Sequence, residues 1–134
     1  DCLLSRGLGD VYKRQDMPHC VIEGARSLLQ TLGGDELVAR VHAAAVDTQL
    51  FREGEVKVRL SLYDHFTVGG SQEDFVHVIV YLLAGRSDEQ KKALSMAIVR
   101  ALLECLPAAQ SLSVDVRDMR REAFSNRRSC LDAG

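Results

Sequence analysis

No sign of charge dominates this chain. Lys and Arg total 17 against 19 Asp and Glu, a net charge of −2. That gives no global pull toward nucleic acid or an anionic membrane. No apolar run approaches the roughly 18 residues that a bilayer span requires. The opening "DCLLSRGLGDVYKRQ" makes a poor secretory signal, because its apolar stretch is short and no small-residue cleavage site follows. With neither signal, the expected compartment is the cytoplasm. The four cysteines, Cys2, Cys20, Cys105 and Cys130, form no C-x-x-C pair and no cluster. They are expected to be reduced packing or surface thiols rather than a zinc site. No two of His19, His42, His65 and His77 have metal-ligand spacing with a carboxylate, so no metal is expected. "VGG" at 68–70 lacks the Lys-Ser/Thr of a phosphate loop and reads as a turn. Arg117, Arg120, Arg121, Arg127 and Arg128 make the tail basic, yet only Phe124 interleaves with them, so no nucleic-acid partner is expected.

What remains suits one domain: 134 residues, 46% apolar. Residues 1–16 have no clean period, and "SRGLGDVYKRQ" resembles a translated sequencing adapter. The alternative is a natural disordered or helical extension. Either way the domain is expected over 17–126, with a patternless tail at 127–134. "HCVIE" (19–23) reads as a strand. After a turn at "LGGD" (32–35), Leu37, Val38, Val41, Ala44, Ala45 and Thr48 recur at helical steps. In "VKVRLSLYD", Val56, Val58, Leu60 and Leu62 alternate with Lys57, Arg59, Ser61 and Tyr63, a half-buried strand. "FVHVIVYLLA" (75–84) is apolar on both faces, like a central strand, which would place His77 in the core. Ser87 and Gln90 form a capping box, with Asp88 and Glu89 in the first turn. The stripe Ala93, Leu94, Ala97, Ile98, Ala101, Leu102 and Cys105 ends before Pro107. "SLSVDVRDM" is a fourth alternating strand.

The order is strand-helix-strand twice. It predicts an α/β (α+β) fold: two β-α-β units with internally parallel strands, forming a four-stranded sheet with two helices on one face. The two-sided third strand predicts that the other face meets a second copy.

One placement bears on chemistry. Met17 immediately precedes Pro18. A chain starting at Met17 and losing that methionine would expose a free secondary amine. "MPHCVIE" (17–23), "FVHVIVYLLAGRSDEQKKAL" (75–94) and "LSVDVRDM" (112–119) resemble the tautomerase superfamily, and within it the 5-carboxymethyl-2-hydroxymuconate isomerase branch. The resemblance spans about residues 17–126. It implies a homotrimer, no cofactor, and a proton shift in an unsaturated 2-hydroxy or 2-oxo dicarboxylate, with Pro18 as acid-base catalyst. It further implies Arg86 as a carboxylate clamp, Lys57 or Arg59 as a second cation, Phe75 as part of an apolar wall, and His19 in support. The branch usually shows arginine where Lys57 aligns, and lysine lacks the bidentate fork. If Pro18 stays within a peptide, the same fold would serve as a non-catalytic trimeric binding or structural protein. A hydratase or decarboxylase using the same proline is a third reading.

Overall fold

The computed structural model describes residues 17–133, so the expectation for residues 1–16 falls outside them. The elements are β1 (His19–Ala25), α1 (Gly34–Asp47), β2 (Lys57–Tyr63), β3 (Phe75–Leu83), α2 (Asp88–Cys105), β4 (Ser111–Met119) and α3 (Arg127–Ala133). Short 3-10 turns lie at Arg26–Gln30, Glu53–Glu55 and Arg121–Ala123.

The sheet order is β2-β1-β3-β4. Strands β1 and β2 run parallel, as do β3 and β4, while β1 and β3 are antiparallel. Each half is thus a β-α-β unit with parallel strands, as the element order predicts, and the halves join at β1/β3 in opposite directions. Helices α1 and α2 cover one face. Leu37, Val41 and Ala45 of α1 and Leu94, Ile98 and Leu102 of α2 are buried against Cys20, Ile22, Val76, Val78, Val80 and Leu82. Each fully buried aliphatic side chain contributes about 1.5–3 kcal/mol relative to exposure. Helix α2 begins where the letters place it: Ser87 Oγ accepts from the Gln90 N–H at 3.1 Å, and Gln90 Oε1 accepts from the Ser87 N–H at 2.9 Å.

The uncovered face differs from the expectation. Val76, Val78, Val80 and Leu82 point into the core, but Phe75, His77, Ile79 and Tyr81 alternate on the outer face, half-buried. His77 is therefore not a core residue; its ring Nδ1 lies 2.6 Å from Ser113 Oγ across the outer face. An apolar pair, Val21 opposite Ile79, sits mid-face between Arg59 and Asp115. The face is mixed rather than apolar.

The tail also departs from its patternless reading. Helix α3 buries no residue. It is held at its start by a reciprocal cap, in which Asn126 Oδ1 accepts from the Ser129 N–H at 2.8 Å and Ser129 Oγ accepts from the Asn126 N–H at 2.9 Å.

Candidate active site at the start of β1

Pro18 directly precedes β1 and is buried. Its carbonyl accepts from the Lys57 N–H at 3.0 Å, continuing the β1–β2 ladder by one rung. His19 then pairs with Lys57 on one side and Tyr81 on the other. One end of the sheet is therefore made of the starts of β1 and β2 and the end of β3. Just past β3 the chain turns at Gly85, whose φ of 138° is open to glycine and strained for other residues. That turn brings Arg86 to the same end, immediately before the Ser87 cap.

Arg86 is half-buried, and its Nη2 donates to the Leu50 carbonyl at 2.6 Å. Its guanidinium stacks over the Phe51 ring, 5.4 Å from the centroid, a cation–π contact. Lys57 Nζ lies 3.3 Å from Met17 Sδ, a weak acceptor, so the residue before Pro18 occupies the lysine. Arg59, two residues along the same exposed face, donates from Nη1 to His19 Nδ1 at 3.1 Å. Burial first, then the Arg59 and Lys57 charges, hold the His19 imidazole below its usual 6.5. Behind Pro18, burial pushes the Cys20 thiol up to about 11, which leaves it a neutral packing group.

A cleft of ≈ 610 Å³ opens beside this end, with Met17 and Lys57 on one side and Asn126, Arg127, Arg128 and Leu131 on the other. The register thus gathers Pro18, Lys57, Arg59 and Arg86 at one end of the sheet. Phe75 is not with them. It begins β3, at the opposite end, with Phe66 and Tyr63 at ring-centroid distances of 5.1 and 6.4 Å. At about 3.3 Å per strand residue, roughly 20 Å separates it from Pro18 within one chain.

Two features of this end went unread in the sequence. Glu55 is buried, at 7% exposure, with Oε1 accepting from the Arg52 N–H at 3.3 Å. The α3 wall of the cleft was the other; its signal was Asn126 followed three residues later by Ser129, a capping spacing. Among the described residues no His, Cys, Asp and Glu cluster could hold a metal ion. No helix among them is long and apolar enough to cross a membrane.

Solved structures share this architecture. A 5-carboxymethyl-2-hydroxymuconate isomerase from Deinococcus radiodurans R1 is 24% identical with a TM-score of 0.73, covering 84% of this chain and 90% of its own. A 5-carboxymethyl-2-hydroxymuconate delta-isomerase is 19% identical with a TM-score of 0.69, covering 92% and 95%. A fused 4-OT asymmetric trimer is 23% identical, also at 0.69, covering 81% and 92%. No curated protein matches the sequence. The mixed sheet with two helices on one face is the tautomerase-type fold of these structures, and the chain is an isomerase. The 5-carboxymethyl-2-hydroxymuconate isomerase family model matches residues 18–127, and the chain belongs to that family.

Proposed function

We propose that this isomerase moves a proton within an unsaturated 2-hydroxy/2-oxo dicarboxylate of the 5-carboxymethyl-2-hydroxymuconate type, using Pro18 as an amino-terminal acid-base catalyst. Such a reaction belongs to aromatic-compound catabolism in the cytoplasm. The observation that carries the reading is a buried proline, one residue after a methionine, at a sheet end with Lys57, Arg59 and Arg86.

Translation from Met17, followed by methionine removal before the small proline, would free the Pro18 nitrogen. An ordinary α-amine titrates near 7.7–8.0 and a secondary amine starts higher; burial and neighbouring cations disfavour its charged form. The neutral amine takes the proton from the substrate's enol, and its conjugate acid returns one to the conjugated carbon. No proton is gained or lost overall. Arg86 and Lys57 or Arg59 would hold the carboxylates by charge-assisted hydrogen bonds. Phe75 could wall the site only from a neighbouring copy, which suits a homotrimer; the 4-OT relative is described as a trimer.

The test is the intact mass of a chain expressed from Met17, with turnover of 2-hydroxymuconate assayed on the same sample and on the chain that keeps residues 1–16. The expected result is loss of Met17 and turnover by that sample alone. Equal activity from an uncleaved longer chain would exclude Pro18 as the base. No turnover by the processed chain would favour the non-catalytic trimeric binding protein.

A further inference from the structure

The cleft beside Pro18 has a wall that no step above uses. Arg127 and Arg128 both line it, and both are exposed. Lys57 faces them from the other side. Against these three cations stands one acid, Asp132, whose Oδ2 lies 3.8 Å from Arg128 Nε at the long limit of an ion pair. Arg127 has no ion-pair partner among the described residues. Leu131, 63% exposed, adds an apolar surface to the same wall. A lone exposed leucine would mean little. Here it stands beside two guanidinium groups, in a cleft continuous with Met17.

The helix that carries these residues is otherwise unexplained. Helix α3 buries nothing, so core packing does not hold it in place. The Asn126–Ser129 cap fixes its first turn, which carries Arg127 and Arg128. Met17 Sδ currently occupies Lys57 Nζ. Loss of Met17, which lines the cleft and is bonded to the Pro18 nitrogen, would free that ammonium.

We infer that Arg127 and Arg128 join the β2 cation in binding the substrate carboxylate farther from the reacting carbon, making α3 the element that sets the preference for dicarboxylates over monocarboxylates. This rests on reading the start of β1 as the substrate site. Two forks offer parallel N–H donors to a planar carboxylate, which Lys57 alone does not. The Leu131 side chain would lie along the carbon skeleton between the two acid groups. The family match stops at residue 127, so most of this wall lies beyond it.

The test uses unreactive six-carbon ligands, so that binding is read apart from turnover. Calorimetry compares cis,cis-muconate, with two carboxylates, and sorbate, with one, on the chain processed to Pro18. The unaltered protein should bind muconate at least ~10-fold tighter than sorbate, since each tenfold is about 1.4 kcal/mol, within reach of one charge-assisted contact. The R127A/R128A variant should lose most of that preference while binding sorbate as before, which also reports an intact fold. R127K/R128K should recover part of it. Equal binding of both ligands by the unaltered protein, no binding of either, or a preference that survives R127A/R128A largely intact overturns the inference. Turnover of 2-hydroxymuconate on the same samples reports separately on the proline mechanism. Absent turnover with an arginine-dependent muconate preference would sink the mechanism and leave the inference standing.

Discussion

At the head of β1 the His19 imidazole meets a donor it cannot turn away. A guanidinium only donates, so Arg59 Nη1 at 3.1 Å requires a lone pair on Nδ1 and leaves the ring proton on Nε2. Protonating the ring would break that bond and add a third positive charge beside Arg59 and Lys57. Burial opposes it further, so the folded pKa lies below the unfolded 6.5. The sign follows. Between the two values the unfolded chain holds more protons than the folded one. His19 therefore subtracts stability as pH falls below 6.5, and has no such effect above it. By NMR, the His19 titration midpoint should lie below 6.5, and Arg59→Ala should raise it part of the way, because burial, the larger cause, remains. A midpoint unmoved by Arg59→Ala would show that the pair does not exist in solution. Of the His19–Arg59 contact itself, only the shared polar face of Lys57 and Arg59 was legible beforehand, which the strict alternation of β2 dictates.

Among the elements, α2 was readable because its signals are local. Ser87, Asp88, Glu89 and Gln90 announce a start, and Leu94, Ile98 and Leu102 repeat at four-residue steps, all three buried. Ser87→Ala should cost about 1 kcal/mol, read as a lower urea midpoint with an unchanged slope. An unaltered midpoint would mean the cap is not formed. Strand β3 was harder. A strand apolar at nearly every position does not declare its inward face, and only pairing with β1 and β4 settles that His77 looks outward. Phe75 illustrates a different limit. Its place at the far end follows from the antiparallel β1/β3 pairing, a fact of topology that no local pattern encodes. Helix α3 escaped because a seven-residue helix with no buried side chain has no hydrophobic stripe to see.

Considered whole, the molecule leaves one sheet face uncovered, with Val21 and Ile79 at its middle and charged or polar residues around them. A monomer would leave this pair half in water. The proposed trimer would bury it on each chain. Ile79→Asp should therefore lower the mass measured by light scattering from three chains toward one, with helical content retained. A mass already equal to one chain in the unaltered protein would dispose of the trimer. The mixed composition also explains why the sequence argument for association rested on too simple a picture: a polar-rimmed face with an apolar centre, rather than a greasy one, is what must find its partner.

The two halves of the chain repeat the same path, yet they are not equivalent in what they can offer. At the start of β1 stands Pro18; at the matching position before β3 stands Asp74, which accepts a hydrogen bond from Ser27 Oγ. That end is further closed by the Arg26–Asp64 ion pair at 2.7 Å and by the cluster of Phe66, Phe75 and Tyr63. Asp74 lies mid-chain, and no processing of a terminus can give it a free amine. Joining two such units in one polypeptide thus fixes a stoichiometry: on the proposed mechanism each chain has one reacting nitrogen, and the second sheet end is released from chemistry to serve as structure.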